Sequence, residues 1–431
     1  MKAQWLRSLT TSLLAFSMLW AAASDTTRVE KQQLQPDLDN GGLTLQKGFG
    51  AIVVIDSVGR NRHIAVNPNG DIYIKLERLK NGKGIMVLRE DANGKASVVT
   101  GFGNYVGTGV AFKNGYLYAS SNNDVYRYKL NAKNEVIDSA KPERIITGLI
   151  NRRQHESKSI ALDNAGNIYV NIGAPSNSCQ MQDRAKGSLG MDPCPILDSA
   201  AGIWQFKVDK LDQSYAEGAR YCTGTRNIVG LDWNNDVNEL YAMQHGRDDL
   251  YRMFPQYFDS VDNSELPAEE FLLVKKGSNF GWPYCYFDQR QDKKVLAPEY
   301  GGDGKKTARC EGMERPLIGF PGHWAPNALL FYTGSMFPEK YRNGAFIAFH
   351  GSWNRAPLKQ AGYNVVFVPM KNGKPNGPFE VFADGFGGVE IIKSTRDAKH
   401  RPCGLAQGKD GSIYISDSVK GTVYKIIYTG K

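Results

Sequence analysis

The segment SIALDNAGNIYVNIG, residues 159–173, contains two short apolar runs on either side of an Asn-Ala-Gly turn. Apolar residues that alternate with a period of two are typical of β-strands. Asparagine and glycine supply the backbone conformations that a tight turn requires. The segment therefore predicts a β-hairpin, in which the strand SIALD pairs with the strand NIYVNIG.

The same pattern occurs five more times along the chain. The second strands of the other copies lie in NGDIYIKL (69–76), NGYLYASS (114–121), VNELYAMQHG (237–246), NGAFIAFHG (343–351) and DGSIYISDS (410–418). Six copies of one hairpin indicate a repeat architecture, whereas two β-sandwich domains would not repeat one hairpin. The sequence thus predicts an all-β, six-bladed β-propeller. Long insertions at 174–201 and 256–319 are expected to gather at one face and build the functional site.

The first 23 residues have the features of a secretory signal peptide. Lys2 and Arg7 precede an apolar run from Leu9 to Trp20, and alanines follow at 21–23. The run is too short and too rich in Ser and Thr for a membrane span, so no stable membrane insertion is expected. We expect cleavage near residue 23, one propeller domain over residues 24–431, and a periplasmic or secreted protein.

The chain is basic, with a formal net charge of +9, of which Lys2 and Arg7 contribute two. The basic residues are interspersed with acidic ones rather than clustered in a stripe. This pattern predicts a generally basic surface and argues against a nucleic acid partner. An anionic ligand or cofactor fits the sign of the charge.

Six cysteines follow the signal segment, an even number that suggests disulfides in an oxidising compartment. No CxxC or Cys/His zinc spacing is present. Six cysteines allow 15 pairings, and proximity in sequence favours Cys179 with Cys194 and Cys285 with Cys310. Cys222 and Cys403 remain without an assigned partner.

Polar residues precede the first strands of several hairpins. In a propeller these positions are equivalent around a ring, so their side chains are expected to converge on one mouth of the central channel. The residues are His155, Arg226, Asn227, Lys399 and Arg401. Several cations that face one pocket require an anionic ligand, because guanidinium groups match carboxylates.

The motifs GTRNIVGLDW, GSNFGWPYC, APNALLFYTGSMFP and FHGSWNR resemble those of the soluble quinoprotein sugar dehydrogenases of the glucose/sorbosone dehydrogenase type. The resemblance covers nearly the whole mature chain. It implies a six-bladed propeller that binds pyrroloquinoline quinone (PQQ) and calcium. It also implies oxidation of an aldose, or of an aldehyde such as sorbosone, at C1. The chain has no CxxCH haem motif, so the electron acceptor, a cytochrome or a quinone, would be a separate molecule.

The resemblance also implies roles for individual residues. His155 would be the general base, since the unperturbed imidazole pKa lies near working pH. The residues that would contact the cofactor are Asn104, Arg226, Asn227, Arg355, Lys399 and Arg401. The backbone carbonyls of Gly246 and Arg247 would ligate calcium, with Asp249 as the nearest carboxylate. Gln154 replaces an aspartate of the glucose-oxidising members, which affects substrate range and rate more than reaction type.

Two other functions are compatible with a six-bladed propeller. A calcium-dependent lactonase would need acids and asparagines around the metal and no ring of arginines. A propeller that only binds sugar or protein would have no need for the combination of His155, Arg226, Asn227 and Arg401. The basic residues at the hairpin starts therefore favour the dehydrogenase.

Overall fold

The computed structural model describes Met1 and residues 34–430. The expected signal peptide beyond Met1 lies outside the described residues. Two strands come first along the described chain, β1 (Thr44–Leu45) and β2 (Phe49–Ile55), and each joins a sheet that is formed mainly by later strands.

Six sheets of four or five strands follow in chain order, and we number them as blades 1 to 6. Blade 1 contains β3 (Asn61–Val66), β4 (Ile72–Lys80), β5 (Lys83–Glu90) and β6 (Ala96–Phe102). Blade 2 contains β7 (Val110–Lys113), β8 (Tyr116–Ser120), β9 (Val125–Lys129) and β10 (Glu143–Ile146). Blade 3 contains β11 (Ile160–Leu162), β12 (Asn167–Ile172), β13 (Gly202–Lys207) and β14 (Ala219–Thr223).

Blades 4 to 6 contain an inserted hairpin and the two N-terminal strands. Blade 4 contains β15 (Ile228–Asn234), β16 (Glu239–Gln244), β17 (Glu269–Val274) and β20 (Ile318–Phe320), with the hairpin β18 (Cys285–Asp288) and β19 (Lys293–Leu296) inserted. Blade 5 contains β21 (Pro326–Phe331), β22 (Ala345–Phe349), β23 (Asn364–Val368), β26 (Glu380–Asp384) and β1, and β24 (Met370–Lys371) pairs with β25 (Lys374–Pro375) beside it. Blade 6 contains β27 (Pro402–Gln407), β28 (Ile413–Asp417), β29 (Val423–Tyr428) and β2.

The blades form a closed ring. The first strand of each blade contacts the first strand of the next, through β3, β7, β11, β15, β21 and β27, and β27 contacts β3 again. The N-terminal strand β2 is the outer strand of blade 6, where Ala51 pairs with Ile426 of β29. Because β2, from the N-terminal part of the chain, and β29, from the C-terminal part, pair in one sheet, the ring is closed without an open edge between its first and last blades.

The six predicted hairpins are confirmed as the first two strands of the six blades. In blade 3, for example, Ile160 of β11 pairs with Val170 of β12, in antiparallel register. All six residues of β12 are buried, because each blade has its faces covered by its neighbours. Between blades 3 and 4, the ring of Tyr169 stacks on Trp233 with centroids 5.3 Å apart, a geometry that adds to the area buried.

The insertions are tied down by covalent bonds and short helices. Both predicted disulfides are confirmed, Cys179–Cys194 in the insertion of blade 3 and Cys285–Cys310 in that of blade 4. Cys222 and Cys403 are buried and unpaired. The helices α1 (Leu250–Met253) and α2 (Ser260–Glu265) lie between β16 and β17. The 3-10 turns of the described chain are Asn40–Gly42, Pro195–Asp198, Pro298–Tyr300, Ala308–Cys310 and Glu339–Tyr341. Among the described residues, none of the helices has the length and apolarity needed to cross a bilayer.

Candidate functional site

Residues at the starts of the first strands of all six blades surround one cavity of about 570 Å³, which we call the large cavity. They are Arg62, Thr108, Ser157, Asn227, Ala325 and Arg401. A second space of about 280 Å³, the side cavity, lies beside it and extends towards the insertions. The two cavities share five lining residues, namely His155, Asn227, His245, Ala325 and Trp353. The structure therefore brings the predicted residues His155, Asn227 and Arg401 to one mouth of the channel, and Arg226 lines the adjoining side cavity.

Four arginines line the large cavity, Arg62, Arg78, Arg153 and Arg401. None of them forms an ion pair with an acidic side chain among the described residues. Arg62 donates to the hydroxyl of Ser157 at 2.7 Å. Arg401 donates through Nε and Nη2 to backbone carbonyls at 2.8 and 2.7 Å, and no acidic side chain of the described residues pairs with its guanidinium.

The acidic residues of the large cavity do not balance this charge. Glu77 lies 3.8 Å from Arg60, and Glu156 accepts a hydrogen bond from Asn122 at 2.6 Å. Burial lowers the pKa of Arg401, because desolvation penalises the charged guanidinium. An anionic guest would therefore gain charge-assisted hydrogen bonds in this cavity.

His155 is held in an unusual backbone conformation just before β11. Its φ is 54°, a left-handed value that few residues other than glycine adopt. A Cβ atom on Gly173 would lie 2.6 Å from the carbonyl oxygen of His155 and 2.7 Å from its Cβ. Glycine at 173 therefore allows the end of β12 to approach the turn that carries the histidine.

The hydrogen bonding of His155 defines its reactive nitrogen. Nδ1 lies 2.5 Å from the carbonyl oxygen of Ala174, and a carbonyl only accepts, so Nδ1 carries the proton. Nε2 of the neutral ring is then a free base. Burial and, to a smaller extent, the nearby Arg226 lower the pKa of His155 to about 3. The imidazole is therefore neutral and able to accept a proton at working pH.

Arg226 connects the two predicted parts of the site. Its Nη1 donates to the carbonyl of Gly246 at 2.8 Å, and its Nη2 donates to Asp248 at 2.8 Å. Asp248 also accepts from Arg184 at 3.0 Å. Burial alone would raise the pKa of Asp248, but Arg226, His323 and Arg184 lower it well below the usual range. Asp248 is therefore an ionised carboxylate in the wall of the side cavity.

Several predicted residues do not reach either cavity. Asn104 and Lys399 are exposed and lie outside the lining of both. Arg355 is buried with its donors already bound, to carbonyls of Ser264 and Gly322 among others. Its guanidinium also pairs with an acidic side chain of α2, so it is not available to a ligand.

The predicted metal turn is also arranged differently from the expectation. The carbonyl of Gly246 lies at the side cavity but already accepts from Arg226. The Arg247 side chain is buried against Glu299 at 2.5 Å. Asp249, expected as the nearest carboxylate, lies outside the lining and binds Arg184 and a residue of α1. Its neighbour Asp248 lines the side cavity instead, together with the carboxyl group of Glu269.

Sequence reasoning did not identify five residues of the site, Arg62, Arg78, Arg153, Arg184 and Asp248. A signal for Arg62 exists, because it stands at the start of the first strand of blade 1 as Arg401 stands before that of blade 6. Arg184 lies in an insertion, where no repeat fixes its position. Trp353 is 58 % exposed and lines both cavities, so its ring forms an open wall of the site.

Burial lowers the pKa of five of the six histidines. The pKa falls to about 4 for His63, about 3 for His155 and about 4 for His245. It is also lowered for His323 and His350. The unfolded chain binds a proton at each ring below about pH 6.5, whereas the folded protein does not. Folded stability carried by these rings is therefore lost as pH falls from 6.5 towards 4.

Two buried carboxyl groups oppose this trend, because burial raises the pKa of Asp232 to about 7 and that of Glu269 to about 8. The unfolded state then binds roughly three more protons than the folded state near pH 5, which corresponds to a loss of about 4 kcal/mol in unfolding free energy per pH unit. We expect the thermal midpoint, measured by circular dichroism, to fall steeply between pH 6.5 and pH 4.5. A midpoint that stays constant or rises over this range would contradict the buried neutral histidines.

The sequence of the chain is similar to a protein family and to two curated enzymes. A family profile described as TrAA12-like matches residues 43–429. A pyrroloquinoline quinone-dependent pyranose dehydrogenase from Coprinopsis cinerea is 23% identical over 429 residues, and the match covers 89% of this chain and 54% of that protein. A pyrroloquinoline quinone-dependent sugar dehydrogenase from Hypocrea jecorina is 22% identical, with 74% of this chain and 73% of that protein covered. The chain thus spans about half the length of the Coprinopsis enzyme.

Solved structures share the architecture. A structure of the Trichoderma reesei Carbohydrate-Active Enzymes Family AA12 protein superposes with a TM-score of 0.73, at 20% identity, and covers 92% of this chain and 99% of that chain. The holo form of the pyranose dehydrogenase PQQ domain from Coprinopsis cinerea has a TM-score of 0.70 at 19% identity, with 89% and 97% covered. At these identities the structures show the fold alone. Because the family profile spans nearly all of the described residues, the chain belongs to the TrAA12-like family.

Proposed function

We propose that the protein is a PQQ-dependent sugar dehydrogenase that oxidises an aldose, or a sorbosone-like aldehyde, at C1. The observation that carries this proposal is the large cavity, where four arginines without an acidic partner in the described chain face a neutral histidine. Guanidinium groups that face a cavity without an acidic partner favour an anionic guest, because each can form charge-assisted hydrogen bonds with it. A lactonase or a simple sugar-binding propeller has no use for this arrangement.

PQQ fits the large cavity in charge and size. It is a flat tricyclic quinone with three carboxylic acid groups, and each carboxylate matches a guanidinium fork. The cavity volume of about 570 Å³ lies within the usual range for cofactor sites. We assign Arg401 and Arg62 to the carboxylates, and Asn227 to the edge that faces the side cavity. The donors of Arg226 are bound to Asn177, Gly246 and Asp248, so Arg226 would contribute its charge beside that edge. When bound, the quinone would supply an electrophilic carbonyl able to accept the hydride from C1 of the sugar.

His155 would act as the general base. Its Nε2 is unprotonated because Nδ1 donates to the carbonyl of Ala174. It would accept the proton of the C1 hydroxyl, which raises the electron density at C1 and makes loss of hydride easier. The hydrogen bond to Ala174 and the close approach of Gly173 keep the ring in one orientation during this transfer.

We further propose a calcium ion in the side cavity, held by Asp248 Oδ1 and by the second lone pair of the Gly246 carbonyl. Arg226 would remain bound to the other lone pair of that carbonyl and to Asp248 Oδ2. The buried Oδ1 atoms of Asn227 and Asn354 accept no hydrogen bond in the described chain, and both side chains line this cavity. Such oxygen donors suit calcium. Within the described part of the chain, no three His, Cys, Asp or Glu side chains are grouped for a metal ion, so backbone and amide oxygens would complete the coordination.

The substrate would enter past Trp353. Its exposed ring is a platform on which the apolar face of a sugar can stack. Oxidation of a C1 hemiacetal gives a lactone. The reduced cofactor would then pass its electrons to a separate acceptor.

We also propose that the protein works outside the cytoplasm, in the periplasm or as a secreted protein. Two disulfides tie the insertions of blades 3 and 4. Disulfides of this kind persist in oxidising compartments. The basic and apolar N-terminal segment is consistent with export.

A titration of the apo-protein tests the proposal. PQQ is added with and without calcium chloride, and cofactor absorbance is recorded. A panel of aldoses and a dye acceptor follow. We expect saturable binding, tighter with calcium, and dye reduction with at least one sugar. No absorbance change and no dye reduction with any sugar would reject the dehydrogenase.

Two results would point to the alternatives instead. Hydrolysis of a lactone without PQQ would favour a calcium-dependent lactonase. Saturable sugar binding that leaves the dye oxidised, with or without PQQ, would favour a propeller that has no catalytic role.

A further inference from the structure

Two consecutive residues of the disulfide-closed insertion of blade 3, Asp183 and Arg184, contact residues that line the side cavity. Arg184 binds Asp248 at 3.0 Å and lines the side cavity. Asp183 accepts a hydrogen bond at 2.9 Å from the Nε2 atom of Gln154, the residue before His155. One turn of the insertion therefore contacts two residues that line the side cavity, Gln154 and Asp248.

Asp183 is itself fixed within the insertion. Its Oδ1 accepts from the hydroxyl of Ser176 at 2.7 Å and from the backbone N–H of Asn177 at 3.0 Å. Burial opposes ionisation of Asp183, but hydrogen bonds from Gln154, Ser176 and Asn177 lower its pKa. The bonds from Ser176 and Asn177 favour the ionised form and do not depend on how the Gln154 amide is turned. Asp183 is therefore a carboxylate that can only accept hydrogen bonds.

This fact determines the orientation of the Gln154 side chain. An amide has one donor end and one acceptor end, and its assignment follows from its hydrogen-bond partners. If the amide were reversed, its oxygen would face the Asp183 carboxylate, with no proton between the two. Nε2 must therefore point to Asp183, and Oε1 is the end left over. No described residue donates to Oε1, and Gln154 lines the side cavity.

We propose that Asp183 is a positioning residue that fixes the Gln154 amide with its oxygen available to the substrate, so that Gln154 accepts a hydrogen bond from one sugar hydroxyl. The inference rests on the proposed function. The site would select a hydroxyl at that sugar position, because a hydrogen or fluorine there cannot donate. Glutamine at position 154 has no carboxylate, but the insertion places the carboxylate of Asp183 in hydrogen-bond contact with the Gln154 amide.

The test compares Asp183→Asn with wild type. An asparagine can donate or accept, so the Gln154 amide is free to reverse. The substrates are the aldose that wild type turns over fastest and its monodeoxy and monofluoro analogues. For each analogue, the preference is the kcat/KM of the parent sugar divided by that of the analogue. We expect this ratio to fall about tenfold in the variant for the analogue that lacks the hydroxyl bound by Gln154. The Kd for PQQ, measured by cofactor absorbance, should stay within about threefold of wild type.

Two further variants complete the experiment. Gln154→Met, which has similar length and no amide, should lose the same preference. Asp198→Asn changes an exposed aspartate of the same insertion and should keep the wild-type ratio. The inference is overturned if the active Asp183→Asn and Gln154→Met variants retain the wild-type preference. A wild type that binds no PQQ and oxidises no sugar rejects the proposed function itself.

Discussion

Replacement of His155 by alanine is expected to lower kcat by about 10²–10⁴-fold, the usual contribution of a general base. The loss follows because Nε2 of His155 is left free by the bond of Nδ1 to Ala174. His245 also lines both cavities, but its Nε2 is bound to the carbonyl of Pro326, so it would offer Nδ1 from a different position. The measurement is dye reduction under saturating sugar, with the Kd for PQQ determined in parallel. We expect the Kd to change little, since the ring contributes no charge to the cofactor carboxylates.

The pH dependence of the wild type provides the control for this variant. Burial and Arg226 lower the pKa of His155, so its base form persists below the ordinary imidazole value of about 6.5. The acidic limb of kcat/KM should therefore lie below pH 6.5 in wild type and be absent from the residual activity of His155→Ala. Full turnover by the variant would contradict the base assignment.

Replacement of Arg401 by glutamine is expected to weaken PQQ binding by roughly 10–150-fold, because a hydrogen bond to a charged group contributes about 1.5–3 kcal/mol. Arg401 is placed by bonds from Nε and Nη2 to the carbonyls of His350 and Gly351. Glutamine removes the charge but keeps a polar side chain. The Kd is measured by absorbance titration at fixed ionic strength, because salt screens such contacts.

A matched variant separates this local effect from net charge. Arg396 is exposed and lies outside both cavities, so Arg396→Gln removes the same charge at a distance. Its Kd should remain within about twofold of wild type, since exposed charges contribute little. Equal weakening in Arg396→Gln and Arg401→Gln would mean that the cofactor responds to overall charge and not to the cavity.

The architecture could be predicted because one local signal was repeated. Alternating apolar residues with an Asn/Gly turn specify a hairpin wherever they occur, and six copies leave few alternatives to a ring. The closure by β2 was not predictable in this way. Its sequence FGAIVVI (49–55) has no hairpin partner nearby, and its pairing with Tyr428 and neighbours is fixed only by the complete ring.

The site was predictable to the extent that the repeat determines position. His155, Asn227 and Arg401 precede first strands, and the ring brings them to one cavity. Lys399 lies only two residues before Arg401 but is exposed. The chain reaches the large cavity only at Arg401, directly before β27.

The side cavity could not be predicted because insertions form part of it. The backbone conformation after Gly246 determines whether Asp248 or Asp249 faces the side cavity. Asp249 adopts a left-handed φ of 67°, which the sequence does not reveal. Arg184 reaches Asp248 across 64 residues of sequence, through a loop shaped by the Cys179–Cys194 disulfide. Such contacts depend on tertiary structure and leave no periodic pattern.

The central claim is that the large cavity binds the anionic quinone next to the neutral imidazole of His155. A crystal structure of the protein with PQQ tests this claim most directly. We predict the cofactor in the large cavity, with carboxylate oxygens in hydrogen-bond contact with the side chain of Arg401 and the quinone edge next to His155. Density for the cofactor elsewhere on the molecule, with these two side chains in contact only with solvent, would contradict the account.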